Sequence, residues 1–349
     1  MMKEKKAISI LVAEDSPTQR QFLLALLQEA GGFDVVGVAV DGLEAVRETE
    51  RLSPDIVLMD CHMPLASGIE ATRMIMEKFP TPIVIVSSTL TREEIAGTFD
   101  AIKSGALAFL PKPTFENLVC DTTHSTMIQT LRLMAEVKVV GRRVRSGPSP
   151  RALQLRHKGK TDMIAVGGST GAPSAIADIL SVVASRRVAP LLIVQHMAAG
   201  FVEGFARWLT DTTKFPVSVG SHGIIATPGH AYLSPDNRHM GVDSARRIVL
   251  SDGPPEEGFR PSVNFLFRSV SEHFGSSSIG VLLTGMGRDG AAGLLALRRA
   301  GGMTFAQDEA SCVVFGMPRE AIALGAAQHI LPPNAIGKAV SEMSENVGA

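Results

Sequence analysis

The sequence has few cysteines, no long apolar segment and almost no net charge. Its three cysteines, Cys61, Cys120 and Cys312, are far apart and lack the spacing of metal ligands, which argues against a disulfide framework or a zinc site. No run of about 18 apolar residues occurs, so we expect no membrane insertion. The first six residues lead directly into the strand-like segment 8–13, a pattern too short for a signal peptide. These absences predict a cytoplasmic protein.

The length of the chain and its apolar content indicate more than one domain. Its 349 residues exceed a typical single domain, and 45% of them are hydrophobic, so two domains with separate cores are expected. The net charge of −1 hides an uneven distribution, because residues 1–120 carry 17 acidic and 11 basic side chains whereas the rest carry 18 and 23. Opposite charges could favour docking of the two halves, but two ordinary surfaces would give the same distribution.

Short apolar runs alternate with amphipathic segments in the first 110 residues. The predicted strands are Ile8–Val12, Val35–Val40, Ile56–Met59, Ile83–Ser87 and Ala108–Leu110. The predicted helices are Gln19–Ala30, Leu43–Arg51, Ile69–Phe79 and Glu93–Ser104. Repeated strand–helix units of this kind predict a doubly wound parallel sheet.

A basic segment interrupts this alternation. Between Lys138 and Lys160 there are eight Lys or Arg residues and no Asp or Glu. We interpret residues 126–160 as a linker, in which Thr126–Val140 could form a helix. Basic charge is compatible with nucleic-acid binding, but interleaved aromatic residues and a recognisable binding fold are missing. A solvated linker, with no nucleic-acid partner, is therefore the better interpretation.

The α/β alternation resumes after the linker. The predicted strands are Met163–Val166, Leu191–Gln195, Ile248–Leu250, Ile279–Leu283 and Met303–Gln307. The predicted helices are Pro173–Val183, Phe201–Leu209, Pro261–Phe274, Asp289–Ala300 and Pro318–Ala323. We therefore predict an α/β protein with two doubly wound parallel-sheet domains, over residues 1–125 and 161–349.

Charged and hydroxyl side chains stand at the ends of the strands in the first domain. Glu14 and Asp15 directly follow the first strand, and Asp60 follows the third. Ser87 ends the fourth strand, and Lys112 comes just after the fifth. The carboxyl ends of parallel strands share one edge of a sheet, so three carboxylates converge there, a donor set that suits Mg²⁺. Each residue alone could be a solvated loop residue, but five at suitable positions favour a site.

These residues resemble the conserved motifs of the receiver domain of bacterial response regulators. The matching segments are Glu14–Ser16, Met59–Pro64 with Gly68, Ser87-Ser88 and Leu110–Pro113. The resemblance implies a flavodoxin-like fold in which Asp60 accepts a phosphoryl group from a sensor histidine kinase of the CheA type. It also implies that Glu14, Asp15 and Asp60 hold Mg²⁺, and that Ser87 and Lys112 contact the phosphoryl oxygens.

Ser169 stands in a glycine-rich bend between a predicted strand and a predicted helix. The sequence Gly167-Gly168-Ser169-Thr170-Gly171 fits a Gly-x-Ser-x-Gly turn, which exposes the serine hydroxyl above the sheet. A serine hydroxyl is a weak nucleophile unless a base lies nearby. The turn is neither Gly-x-Gly-x-x-Gly nor a Walker A loop, so nucleotide binding is the weaker interpretation.

Two further strand ends carry residues that could activate this serine. His196 follows one strand and Asp289 follows another, so a Ser-His-Asp triad could assemble at one edge of the sheet. The backbone N–H groups of Thr170 and Met286, which neighbour glycines, are candidate donors to an oxyanion. Spacing alone does not select His196, because this half contains other histidines: His222, His230, His239, His273 and His329.

The second half closely resembles the catalytic domain of CheB-type chemotaxis protein-glutamate methylesterases, with a Rossmann-like hydrolase fold. The matching segments, in the order of the family, are Gly168–Gly171, Gln195–Met197, Ala231–Pro235, Arg238–Met240, Arg260–Val263, Leu266–Val270, Leu282–Gly290, Ala306–Glu309 and Val313–Glu320. The resemblance implies that Ser169, His196 and Asp289 are the triad. Departures from the family are Gly171-Ala172, Ala198-Ala199 and Asn264, none of which removes a triad member.

The resemblance also implies a substrate and a means of control. The substrates would be glutamate methyl esters, and also glutamines, of methyl-accepting chemotaxis receptors, and hydrolysis would need no cofactor. An unphosphorylated receiver would cover the cleft around Ser169. A DNA-binding regulator is disfavoured, because no helix-turn-helix pattern follows the linker. A non-catalytic scaffold or an esterase of a non-motility pathway remains an alternative.

Overall fold

The computed structural model describes residues 7–87, 99, 105–113, 121–137 and 160–344. The chain divides into two compact units, Met1–Ser146 and Gly147–Ala349, each with its own sheet and core. The predicted helix Glu93–Ser104, apart from Phe99, and most of the predicted linker lie outside the described residues. The predicted domain boundaries stay predictions.

The first unit is a parallel α/β sheet with helices between its strands. Its strands are β1 (Ile8–Ala13), β2 (Phe33–Ala39), β3 (Ile56–Asp60), β4 (Ile83–Ser87) and β5 (Ala108–Pro111). Its helices are α1 (Pro17–Ala30), α2 (Gly42–Leu52), α3 (Gly68–Lys78) and α4 (Asp121–Ala135). The strand order β2-β1-β3-β4-β5, with parallel neighbours throughout, is the flavodoxin-like order.

Local signals in the sequence explain where these helices begin. Ser16, Asp41 and Ser67 each accept a backbone N–H in the first turn of α1, α2 and α3, which satisfies a donor that the helix itself cannot pair. In α3 the side chain of Glu70 also accepts the N–H of Ser67, which completes a capping box. These caps place the polar residues that follow β1 and β3 at the start of a helix.

The second unit is built on a larger parallel sheet. Its strands are β6 (Met163–Gly168), β7 (Leu191–Gln195), β8 (Val217–Val219), β9 (Ala231–Leu233), β12 (Ser278–Leu282), β13 (Met303–Gln307) and β14 (His329–Leu331). Their order in the sheet is β14-β13-β12-β6-β7-β9-β8. Its helices are α5 (Ala172–Val183), α6 (Val202–Thr213), α7 (Val263–Phe274), α8 (Ala291–Arg299), α9 (Met317–Ala323) and α10 (Pro333–Ser344). The predicted fold class, two doubly wound α/β domains, is confirmed.

The structure differs from the predicted elements at the margins of this unit. The segment predicted as the strand Ile248–Leu250 is β11 (Ile248–Ser251), but it pairs antiparallel with β10 (His239–Val242), outside the parallel sheet. Asp243 joins the two strands in a short loop, where its Oδ1 accepts the N–H groups of Ala245 and Arg247. Such a short connection allows only an antiparallel pair.

Two helices begin two residues later than predicted, and this affects the site. Helix α7 begins at Val263 rather than Pro261, and α8 begins at Ala291 rather than Asp289. Asp289 therefore lies in the loop before α8, where Gly290 has a φ of 90°. Among the described helices, none combines the length and the apolar composition that a membrane crossing requires.

Candidate functional site

The central strands of the second unit bring Ser169 and His196 to neighbouring positions. In the β6–β7 pair Gly168 lies opposite Gln195, and the His196 N–H donates to the Gly168 carbonyl at 3.0 Å. The buried side chain of Gln195 links the next residues, since its Nε2 donates to the carbonyl oxygens of Ser169 at 2.8 Å and His196 at 2.9 Å. The predicted nucleophile and base therefore leave the sheet side by side.

Two glycines allow the chain to bend tightly around Ser169. A Cβ on Gly168 would lie 2.4 Å from the Cβ of Ala172, and one on Gly171 would lie 2.5 Å from the Cβ of Val313. Gly171 also has a φ of 81°, a conformation that other residues adopt with strain. The sharp turn that exposes Ser169 thus requires glycine at both positions.

Asp289 is buried and fully engaged by hydrogen bonds. Its Oδ2 accepts Nε2–H of His196 at 2.9 Å and the N–H of Val263 at 2.7 Å. Its Oδ1 accepts the Ser262 hydroxyl at 2.9 Å and the N–H of Asn264 at 2.9 Å. The carboxylate therefore occupies the N-terminus of α7, where unpaired N–H groups and the helix dipole favour negative charge.

These contacts keep the carboxylate ionised. Burial alone would raise the pKa of Asp289, but the hydrogen bond and the charge of His196 oppose this effect, together with the backbone donors of Asn264 and Val263. The pKa of Asp289 is lowered as a result. An ionised aspartate on Nε2 of His196 fixes the ring orientation and leaves Nδ1 unprotonated, as a base requires.

Nδ1 of His196 is the atom that remains available to Ser169. The His196 side chain is only 7% exposed, and its Nδ1 has no hydrogen-bond partner among the described residues. The Ser169 hydroxyl likewise has no partner in the described part of the chain, so the Ser169–His196 hydrogen bond of a closed triad is not formed. Such bonds are often long without substrate and tighten when it binds.

The two backbone donors predicted for the oxyanion lie beside Ser169. Within the described ranges, the N–H groups of Thr170 and Met286 donate to no protein acceptor. Gly285, which precedes Met286, is so close that a Cβ on it would lie 2.7 Å from the Cβ of Ser169. Thr284 fixes the loop, because its carbonyl accepts the Ser169 N–H and its hydroxyl donates to the Thr170 carbonyl.

Several contributors to this site were not predicted from the sequence. Ser262 directly precedes the apolar start of α7, and this N-cap pattern could have revealed its position but not its bond to Asp289. Gln195 and Thr284 lie in segments that resemble the family, but as polar residues at strand ends they gave no indication of these contacts. Asn264, one of the departures from the family, directs its side-chain oxygen to the Gly293 N–H at 2.7 Å.

The predicted phosphorylation site in the first unit forms a compact polar cluster. Carboxylate oxygens of Glu14, Asp15 and Asp60 all lie within 4.8 Å of one another. The Lys112 ammonium contacts Oε2 of Glu14 and Oδ2 of Asp60, both at 2.8 Å. Ser87 is buried, and its hydroxyl has no hydrogen-bond partner among the residues described. The cluster thus combines an excess of negative charge with an unused hydroxyl.

Burial and ion pairing both shift the pKa values of this cluster. Burial raises the pKa values of Glu14 and Asp60, an effect that the contacts with Lys112 only partly offset. Burial would lower the pKa of Lys112, but its two carboxylate partners raise it overall. Carboxylates that are costly to ionise together favour the approach of a cation, and a set of oxygen donors matches a hard cation such as Mg²⁺.

Comparison with known proteins assigns both units. Residues 164–340 match the family model described as CheB methylesterase, and residues 10–123 match that of the response regulator receiver domain. A protein-glutamate methylesterase/protein-glutamine glutaminase of Syntrophus aciditrophicus is 43% identical over 347 residues, covering 97% of this chain and 99% of that protein. The chain belongs to the CheB methylesterase family.

Other CheB family members support the same assignment. The protein-glutamate methylesterase/protein-glutamine glutaminase of Nitrosospira multiformis is 45% identical over 343 residues, covering 96% of this chain and 97% of that protein. The crystal structure of the Thermotoga maritima CheB methylesterase catalytic domain matches with a TM-score of 0.51 and 32% identity. The structural match covers 53% of this chain and 100% of that domain. Both resemblances that the sequence motifs indicated are confirmed.

Proposed function

We propose that this chain is a phosphorylation-activated protein-glutamate methylesterase that also deamidates glutamine side chains. The observation that carries the proposal is the buried His196–Asp289 pair beside Ser169, within a domain of the CheB methylesterase family. The substrates are methyl-accepting chemotaxis receptors, whose methyl esters lie on cytoplasmic helices. The phosphodonor is a sensor histidine kinase of the CheA type, and the protein acts in the cytoplasm.

The triad performs ester hydrolysis in two steps. Oγ of Ser169 attacks the ester carbonyl carbon while Nδ1 of His196 takes its proton, and Asp289 stabilises the imidazolium that forms. The N–H groups of Thr170 and Met286 stabilise the negative charge on the carbonyl oxygen. The imidazolium then gives its proton to the departing methoxide, and methanol leaves behind an acyl-enzyme on Ser169.

Water completes the cycle through the same groups. His196 takes a proton from water, whose oxygen attacks the acyl carbon, and then returns the proton to Oγ of Ser169. The products are a glutamate side chain and the free enzyme. A glutamine side chain follows the same path, with ammonia leaving in place of methanol, and no metal or cofactor takes part in either reaction.

The cluster around Asp60 would control this activity. Asp60 would accept the phosphoryl group, while Ser87 and Lys112 would bond its oxygens. Glu14, Asp15 and Asp60 would hold Mg²⁺, which would neutralise charge on the transferring group when bound. The all-oxygen donor set and the paired Lys112 support this proposal. The unphosphorylated receiver would cover the cleft, and phosphorylation would weaken that contact.

Methanol release from methylated receptor membranes tests the reaction and its control together. We expect the purified chain to release methanol, and a small phosphodonor with Mg²⁺ to increase the rate. The absence of release under both conditions would contradict the proposed activity. Release at the same rate with and without the phosphodonor would contradict only the proposed control.

Asp60→Asn should remove activation by the phosphodonor without removing basal hydrolysis. The amide cannot accept a phosphoryl group, whereas the triad residues are unchanged. The assay is methanol release with a radiolabelled phosphodonor, so that labelling and rate are measured on one sample. Asp34→Asn, which changes an exposed aspartate of β2, is the matched control and should still be labelled and activated. Continued labelling of the Asp60 variant would contradict its assignment.

Removal of residues 1–140 should raise basal methanol release. The second unit has its own sheet and core, so the fragment retains every residue of the candidate active site. If the receiver covers the cleft, its removal should free Ser169 for substrate. A folded fragment, checked by circular dichroism, that is no faster than the full chain would argue against occlusion.

A further inference from the structure

An aromatic ring lies directly on the proposed catalytic base. The phenyl ring of Phe259 stacks on the imidazole of His196, with ring centroids 4.0 Å apart and planes within 5° of parallel. Two other stacks, of His230 on Tyr232 and of His239 on Phe265, are wider, at 4.6 Å and 4.7 Å, and more tilted, at 28° and 16°. Of these three stacks, the one on His196 has the shortest centroid distance and the smallest angle between the ring planes.

A parallel contact of this kind becomes stronger when the imidazole carries a positive charge. Neutral aromatic rings also stack in parallel when they are offset, so the angle alone does not require a charge. A cation over the face of a ring is attracted by the negative charge of that face. His196 becomes a cation in the proposed reaction each time it takes a proton from Ser169 or from water. The stack would therefore be most favourable during catalysis.

A tight turn carries Phe259 to this position. The Phe259 N–H donates to the Glu256 carbonyl at 2.8 Å, and the Glu256 N–H donates to the Phe259 carbonyl at 3.0 Å. The two central residues, Glu257 and Gly258, have φ angles of 52° and 86°. Positive φ at both central positions is the mark of a type I′ turn, which is a narrow and stiff connection.

Ion pairs join this turn to the elements that hold Asp289. Glu256 pairs with Arg268 of α7, the helix whose N-terminus binds Asp289. Glu257 pairs with Arg288, the residue before Asp289, with 2.6 Å between Oε2 and Nε. Exposed ion pairs of this kind add little stability. They nevertheless link the turn to the two segments that hold Asp289, the helix α7 and the residue before Asp289.

We propose that Phe259 is a positioning residue for His196, an inference that rests on the proposed function. Its ring holds the imidazole in the plane that directs Nε2 to Asp289 and Nδ1 to Ser169. Its face also stabilises the imidazolium formed during proton transfer. Substrate binding does not require this contact, so the effect falls on the rate of reaction rather than on affinity.

The test compares Phe259→Leu and Phe259→Tyr in the phosphodonor-activated full chain. Leucine fills the space without an aromatic face, and we expect kcat for methanol release to fall about three- to tenfold with KM nearly unchanged. Tyrosine keeps the face and should restore kcat to within about twofold of the wild type. Phe265→Leu is the matched control, because it removes the stack on His239 and should leave kcat within about twofold.

Specific results would overturn the inference. Unchanged kcat in Phe259→Leu would do so, as would a tyrosine variant as slow as the leucine variant, or a loss confined to KM. Wild-type protein that releases no methanol would contradict the proposed function itself, so the two failures are distinguishable. Thermal melting of each variant separates an altered rate from a failure to fold.

A second set of variants leaves the packing of Phe259 intact. Phenylalanines with increasing fluorine substitution at position 259 keep the ring shape but weaken the negative face, so kcat should fall stepwise along the series. Equal kcat values along the series would overturn the proposal that the ring face stabilises the imidazolium. Gly258→Ala meets no atom within 4 Å but must adopt a φ of 86°, so it disturbs only the turn. It should also lower kcat, and an unchanged kcat would overturn the role of the turn.

Discussion

Ser169→Ala is expected to abolish methanol release from methylated receptor membranes. The alanine side chain cannot form the acyl-enzyme, while His196 and Asp289 keep their contact. Loss of a triad nucleophile lowers kcat by a factor of about 10⁴ or more in serine hydrolases. The measurement is the rate of methanol release by the phosphodonor-activated chain, compared with a reaction that lacks protein.

The Ser169→Ala variant should lose ester hydrolysis but keep its phosphorylation and its stability. Phosphorylation at Asp60 and the thermal melting temperature should match those of the wild type, because Ser169 is only half-buried and its hydroxyl bonds no described residue. Ser174→Ala, a change on α5 a few residues away, is the matched control and should keep its activity. Persistent methanol release by Ser169→Ala would exclude this serine as the nucleophile.

Asp289→Asn is expected to damage both activity and stability. The amide would present an N–H to a site that holds four donors, the N–H groups of His196, Val263 and Asn264 and the hydroxyl of Ser262. The imidazole would lose its orienting charge, which in serine proteases lowers kcat by about 10⁴. At least one buried donor would lose its acceptor, at a cost of about 1–3 kcal/mol in the free energy of unfolding.

The stability loss should depend on pH in a defined direction. Because the pKa of Asp289 is lowered on folding, its contribution is fully present above the ordinary value of 3.8 and disappears as the pH falls through the folded-state value. Urea unfolding of the wild type and of Asp289→Asn should therefore give different free energies of unfolding at neutral pH. This difference should shrink as the pH falls through the acid range. Asp211→Asn, which changes an exposed aspartate of α6, is the control. If Asp289→Asn were as stable as the wild type at neutral pH, this would contradict the stabilising role of the Asp289 carboxylate.

The architecture was largely predictable because its central strands are continuous apolar runs. β3, β4, β6 and β7 are buried along their whole length, and each was located by its apolar residues. The three-residue strands β8, β9 and β14 were missed, since runs so short carry little periodicity. Ile248–Leu250 was found as a strand, but its pairing was not predictable, because an apolar run does not reveal its neighbour.

The site was predictable only as far as strand ends reveal it. Ser169 and His196 follow central strands directly, so the parallel topology places them side by side. Asp289 is different, because its partners Ser262 and Val263 come from a helix start far from it in sequence. The stack of Phe259 on His196 depends on a turn whose path no local pattern specifies. Contacts of this kind arise from tertiary packing, which local sequence patterns do not specify.

The position of Asp289 at the start of α7 has a consequence for protein engineering. Many enzymes gain stability when an active-site group is replaced, because function there is traded against folding. Here the carboxylate that orients the base also caps a helix from within the core, so that trade-off is absent. An inactive form intended to trap a receptor complex should therefore be made at Ser169, where the fold does not depend on the side chain removed.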